Sequence, residues 1–283
     1  MPTIADLRLE LDDATTLKLI SSAFTEAAAS RVQKIKKQFE TNRQFYDEIS
    51  HVYHLVRLSG KTKAAKSADG KEITGGKPAR TLSIAVTSNQ RFYGNLNVNI
   101  MHGFLDAVSH AQGDILVIGT TGYDYMRSTG YAKPYEHMIF LHDDPTTEET
   151  RAFLDKIMQY ETVMVYYPKF MSLVTQTVGI VDITQAVAPK DAAPEDEVNI
   201  LFEPEYGKIL EFFQRQVRSL LFLHVMLEAD LSRTAARLMT MSGAEERSTE
   251  LIKQKRSELR KIQASIANAK LLETFSGIGK WKK

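Results

Sequence analysis

The sequence predicts an α/β protein in which long N- and C-terminal helices form an antiparallel coiled coil around a small central α/β domain. Three observations predict it. No proline or glycine interrupts residues 3–59. A second helical pattern runs from Glu205 to about Phe275. Between the two, short apolar runs alternate with helix-period segments, the pattern of a mostly parallel sheet covered by helices.

In the first helix, Leu17, Ile20, Phe24, Ala27, Ala28, Val32, Ile35 and Phe39 recur at steps of three and four, the spacing that lines one helical face. So long an uninterrupted pattern points to a coiled coil or a stalk rather than an ordinary core helix. The helix is expected over residues 1–58. Residues 59–80 (GKTKAAKSADGKEITGGKPAR from Gly60) are basic, glycine-rich and almost without large apolar groups, and are read as an exposed loop. The loop fails as a phosphate loop, because Gly70 lies six residues before Gly76 and Pro78 follows Lys77 where Ser or Thr is needed. It also lacks the interleaved aromatics that stack on bases, so no nucleic-acid partner is expected.

The central domain is expected over residues 81–187, with a Rossmann-like alternation. Thr81–Thr87, Asp114–Gly119, Thr162–Tyr167 and Ser172–Asp182 read as strands and Lys133–Phe140 as an edge strand, with helices over Asn97–Ala111 and Thr147–Glu161. Residues 188–204 form a linker rich in Pro, Ala and acidic groups. Over 205–276 a heptad seam passes through Leu231, Ala235 and Leu238 and resumes at Ile252, Leu259, Ile262, Ile266 and Ala269, weakened between them by Ser242, Gly243, Glu245 and Thr249. Residues 277–283 are a tail. Two helices of ~55–70 residues would span roughly 80–100 Å at 1.5 Å per residue, a rod projecting from a globular base.

Composition narrows the function classes. A net charge of +1 offers no global attraction to nucleic acid, and the absence of cysteine excludes disulfides and thiolate metal sites. No basic segment followed by an apolar run opens the sequence, and no run approaches the roughly 18–20 apolar residues that cross a bilayer. A soluble chain reaching a membrane only through a partner is the expectation. Thr120, Thr121, Gly122 and Tyr123 stand where α/β folds place ligand loops. However, no metal-spaced His/Asp/Glu cluster, nucleophile elbow or paired carboxylate accompanies them. Neither an enzyme nor a cofactor site is expected.

Several short motifs stand in order along the chain. They are Ile20-Ser21-Ser22-Ala23-Phe24 with Ala27-Ala28-Ala29-Ser30-Arg31, then Val86-Thr87-Ser88-Asn89-Gln90-Arg91-Phe92-Tyr93-Gly94-Asn95-Leu96-Asn97 and Ile118-Gly119-Thr120-Thr121-Gly122. Tyr167-Pro168-Lys169-Phe170 and Leu201-Phe202-Glu203-Pro204 follow. In the last helix Ala235-Ala236-Arg237-Leu238-Met239-Thr240-Met241, Leu251-Ile252 and Gln263-Ala264-Ser265-Ile266 complete the series. Together these segments resemble the gamma subunit of F-type ATP synthases, most specifically in the last helix, and the resemblance implies a noncatalytic central-stalk rotor. It would turn within a ring of alpha and beta subunits, carry the epsilon subunit, and sit on the membrane ring of c subunits, peripheral to the membrane on its cytoplasmic, matrix or stromal side. It also points to Ser30 and Arg31 on the first helix, and to Arg237, Met241, Gln263 and Ser265 on the last, as contacts or packing groups near the catalytic ring. The sequence departs from the family at Lys18-Leu19, Ser22, Arg233, Ile262 and the turn Asn89-Gln90-Arg91. Those departures keep open a gamma-like paralogue serving a variant ATPase, or a nonrotary scaffold.

Overall fold

The computed structural model describes residues 3–66, 80–110, 113–184 and 206–280. The chain order is α1 (Ile4–Lys66), β1 (Thr81–Val86), α2 (Leu96–His110), β2 (Asp114–Ile118), α3 (Thr120–Ser128), β3 (Glu136–Met138), α4 (Thr147–Ile157), β4 (Thr162–Phe170), β5 (Gln176–Asp182) and α5 (Tyr206–Lys280). The described part is thus an α/β body with a long helix at either end of the chain. It divides into two compact units. One comprises residues 1–29 and 237–283, the other residues 30–236, and α1 and α5 contribute to both.

The larger unit is built on a five-stranded sheet in the order β3-β2-β1-β4-β5. β1 to β4 are parallel, and β5 turns back antiparallel to β4. β1 is central and buried along five of its six residues, as its near-continuous apolar sequence requires of a strand covered on both faces. Leu82, Ile84 and Val86 face one layer with Phe153 and Ile157 of α4 and Val217, Leu221, Phe222 and Val225 of α5. Ala85 lies in the opposite layer with Met101, Phe104 and Val108 of α2, Met126 of α3 and Tyr166 of β4. α4 begins with a capping box, in which Thr146 Oγ1 accepts from Glu149 N and Glu149 Oε2 accepts from Thr146 N.

Several expected boundaries differ. α1 continues to Lys66, through Gly60, past the position 58 where a loop was expected. Thr120–Ser128 is a helix, not a strand-end loop. Strand β4 runs on through Pro168 to Phe170. Pro168 is tolerated because the pairing of β4 with β1 ends at Tyr166↔Ala85, leaving β5 as its neighbour there. β5 starts at Gln176, since residues 172–175 form the turn closed by Ser172 N donating to Thr175 O. The expected linker 188–204 lies outside the described residues, as do 67–79 of the expected basic loop and 281–283 of the tail.

In the smaller unit the two helices run antiparallel. Glu10 meets Lys255 at 2.7 Å, while Thr15 and Thr249 line one groove. Leu7, Ala14, Ser21 and Ala28 are buried, with Ile4, Leu11, Lys18 and Thr25 half-buried between them. On α5, Met241, Ser248 and Ile252 are buried, and Glu245, Lys255, Leu259 and Ile262 half-buried. Both series alternate steps of three and four, the 3.5-residue period of a left-handed coiled coil.

This corrects the expected seam. Leu17 and Ile20 are about half exposed, and Phe24 and Ala27 also lie outside. The seam positions hold small residues (Ala14, Ser21, Ala28), which let helices approach closely while the larger groups stay outside. On α5, Ile266 and Ala269 are exposed too, because every side chain from Gln263 to Ser276 is exposed. α5 therefore outruns α1 in this unit and ends as a single helix.

Candidate functional site

A doubly wound sheet offers ligands a crevice at the carboxyl ends of its strands, here beyond Val86 and Ile118. The chain fills that crevice itself. α3 starts there, and its first N–H groups would be an anion site if open. Thr120 N donates to Asn89 Oδ1 (3.0 Å), Thr121 N to Ser88 O (3.1 Å) and Gly122 N to Thr87 Oγ1 (3.0 Å). Gly119 and Gly122 bring α3 hard against β1. A Cβ at Gly122 would sit 2.6 Å from Thr87 Oγ1 and 2.7 Å from Val117 Cγ1, and Gly119 has φ 98°. The helix N-terminus therefore serves packing.

α5 completes the plug. Arg233, 1 % exposed, sends Nη2 to Asp143 O (3.0 Å) and Nη1 to Thr87 O (3.4 Å). Asp143 is itself buried, accepting from Asn89 N (2.5 Å) and from Tyr93 Oη (2.8 Å). The turn after β1 is thereby tied to the segment before α4 and to α5. It holds Phe92 at φ 71°, a conformation costly for an aromatic residue, with the ring 57 % exposed.

A second set of charges joins α1 to α5 within this unit. Arg31 Nη2 contacts both oxygens of Asp230, at 3.1 and 3.0 Å. Burial, then the neighbouring Asp230 charge, pushes the Asp144 carboxyl up. Tyr167 Oη donates to Glu228 Oε2 at 2.7 Å; burial raises both groups, so the carboxyl and the phenol share a site that favours their neutral forms. One helical turn earlier, His224 stacks on Phe39 (4.7 Å between ring centroids) and touches Asn42 Oδ1 through Nδ1. Burial, then the nearby Arg43 charge, lowers its pKa.

The six residues expected at a partner surface fall into different settings. Ser30, Gln263 and Ser265 are exposed on helices. Arg31 is half exposed but bound to Asp230. Met241 is buried in the seam of the smaller unit, and Arg237 is half-buried on α5. Sequence reasoning missed the buried charges Glu228, Asp230 and Arg233, each with its own partners, although charges inside the apolar run from Leu220 to Leu238 were a visible signal. It also missed the outward apolar groups Leu17 and Ile20. Among the described residues no cluster of His, Asp and Glu is arranged to hold a metal, and no helix is long and apolar enough to cross a membrane.

The larger unit thus holds a doubly wound sheet whose ligand crevice is packed shut, and the smaller unit holds helices that pair with a 3.5-residue repeat. The ATP synthase family model matches residues 3–278, and the chain belongs to that family, as one of its gamma subunits. It is 22 % identical over 270 residues to the ATP synthase gamma chain of Staphylococcus saprophyticus, and 25 % identical over 271 residues to that of Chlorobium luteolum. In both cases 89 % of this chain and 90 % of the relative are covered. Among solved structures, the Tetrahymena thermophila mitochondrial ATP synthase central stalk and c-ring yields a chain with TM-score 0.59 at 17 % identity, covering 80 % of this chain and 99 % of that one. A chain of the Euglena gracilis mitochondrial ATP synthase gives TM-score 0.54 at 16 % identity, covering 88 % and 94 %. The fold is shared with both.

Proposed function

We propose that this chain is the rotor of an F-type ATP synthase, coupling ion-driven rotation of a membrane c-ring to conformational cycling of catalytic beta subunits, without chemistry of its own. The observation that carries this reading is the coiled coil of the smaller unit. Its seam is closed with small residues, so Leu17 and Ile20 of α1 and Met239 and Leu251 of α5 are turned outward among charged groups. Such a surface differs around its circumference, and each face stabilises a different conformation of a surrounding partner. Turning the shaft then changes which partner conformation is favoured, which is differential binding used for coupling. Its apolar contacts on α1 form one narrow, half-exposed stripe of Leu17, Ile20 and Phe24 rather than a deep anchor that would lock the shaft. Alpha, beta and epsilon subunits and the c-ring are the corresponding partners, with the chain peripheral to the membrane on the side that carries the catalytic ring.

The test is co-expression with the alpha and beta subunits of the same organism. The rotor reading expects this chain to co-purify with them and the assembly to hydrolyse ATP steadily. A chain that never associates with alpha and beta overturns it in favour of a scaffold outside the rotary complex.

A further inference from the structure

Beside the seam of the smaller unit, α1 and α5 flank an open groove with a volume of about 680 Å³, within the range of small-molecule sites. Four cations line it: Lys18 from α1 and Lys253, Arg256 and Arg260 from α5. The spacing of the last three (i, i+3, i+7) puts them on one helical face, where neighbouring like charges destabilise a helix. None of the four has an ion pair among the described residues, whereas Lys255 alongside holds both Glu10 (2.7 Å) and Glu258 (3.3 Å). Lys18 occupies a seam position, where a long charged side chain in place of an apolar knob opens the gap. The groove is not uniformly charged: Ile252 and Leu259 supply an apolar floor, and Thr15 and Thr249 add hydroxyl groups.

Four cations along one groove, with no acidic residue in its lining, are the chemistry that recognises a polyvalent anion. We propose that this groove binds an oligophosphate, with the phosphates spanning Lys18, Lys253, Arg256 and Arg260, and that the bound anion tightens the coiled coil there. The phosphates could be those of a nucleotide or of an inorganic polyphosphate, and the apolar floor favours the nucleotide, whose base it would cover.

The test uses the full chain at low ionic strength, titrated calorimetrically with ATP, ADP, inorganic triphosphate, adenosine and a polyglutamate peptide, alongside thermal melts. Binding of triphosphate and ATP, a rise in Tm with either, loss of both effects in high salt and no binding of adenosine are expected. ATP binding more tightly than triphosphate assigns the nucleotide, and equal affinity assigns the inorganic anion. K253Q/R256Q is expected to weaken binding by roughly tenfold or more without lowering the Tm of the ligand-free chain, because it removes like-charge repulsion. K255Q is expected to leave binding unchanged. A chain that ignores triphosphate and ATP, or binds them equally well after K253Q/R256Q, overturns the proposal. Polyglutamate binding more tightly than triphosphate also overturns it, and assigns the groove to an acidic polypeptide.

Discussion

Arg233 is the residue on which the interior of the larger unit turns. It is fully buried, yet its guanidinium is committed to two backbone carbonyls from different segments, Thr87 and Asp143. It also offsets Asp144, which stands close to the buried Asp230. Removing one member of such a buried set leaves the others uncompensated, so Arg233→Ala is expected to cost about 3–5 kcal/mol in urea-induced unfolding. Arg233→Lys, which keeps the charge but loses the planar fork, is expected to recover only part of that. In the sequence Arg233 stood out only as a departure from the family. Its partners could not be read there, because they are main-chain oxygens brought close by the sheet. Gly122 was legible as a loop residue, but its demand for close packing against Thr87 was not, since that approach is set by β1 and α3 together.

Among the elements, the strands were the most legible. β1, β2 and β4 are apolar runs bounded by polar turns, and β5 was recognisable although its start was not. α3 was hidden because its opening, Thr120-Thr121-Gly122, reads as a turn, while the interactions that cap it come from residues 87–89. The other helices were legible as helices, but the seam of α1 was not. Small residues every seven positions carry less signal than the adjacent stripe of Leu17, Ile20 and Phe24. The two stripes predict opposite behaviour. Leu7→Ala, in the seam, is expected to destabilise by about 2–5 kcal/mol. L17Q/I20Q, on the outer face, is expected to stay within about 0.5 kcal/mol per site and to weaken association with the catalytic ring. Thermal unfolding and co-purification separate the two outcomes.

The α1–α5 packing of the larger unit also has a pH signature. His224 has a lowered pKa in the folded state, so the stability it contributes is present above its unfolded value near 6.5 and is lost as pH falls through the folded one. Glu228 and Asp144 are raised, so their contribution is present in acid and lost as pH rises through their folded values. His224→Phe keeps the stack on Phe39 and cannot protonate. The variant is expected to lose less stability than the parent between pH 7 and pH 5, as read by urea midpoints at a series of pH values. An unchanged slope would remove His224 from the acid limb.

At the level of the whole molecule, two long terminal helices and a central α/β body were legible from uninterrupted periodicity, and the order of short motifs carried the family. The packed crevice was not legible, because it depends on Arg233 of α5 reaching Asp143 and Thr87, 90 and 146 positions away. The proposed rotor role places function on the outer faces of the helices, and it is decided by whether those faces move against a partner. The direct measurement is single-molecule observation of a probe on the larger unit, in a complex reconstituted with the alpha and beta subunits of the same organism and fixed through the catalytic ring. The account predicts ATP-driven rotation in one direction, with one step for each catalytic subunit. A complex that hydrolyses ATP while the probe stays still would contradict it.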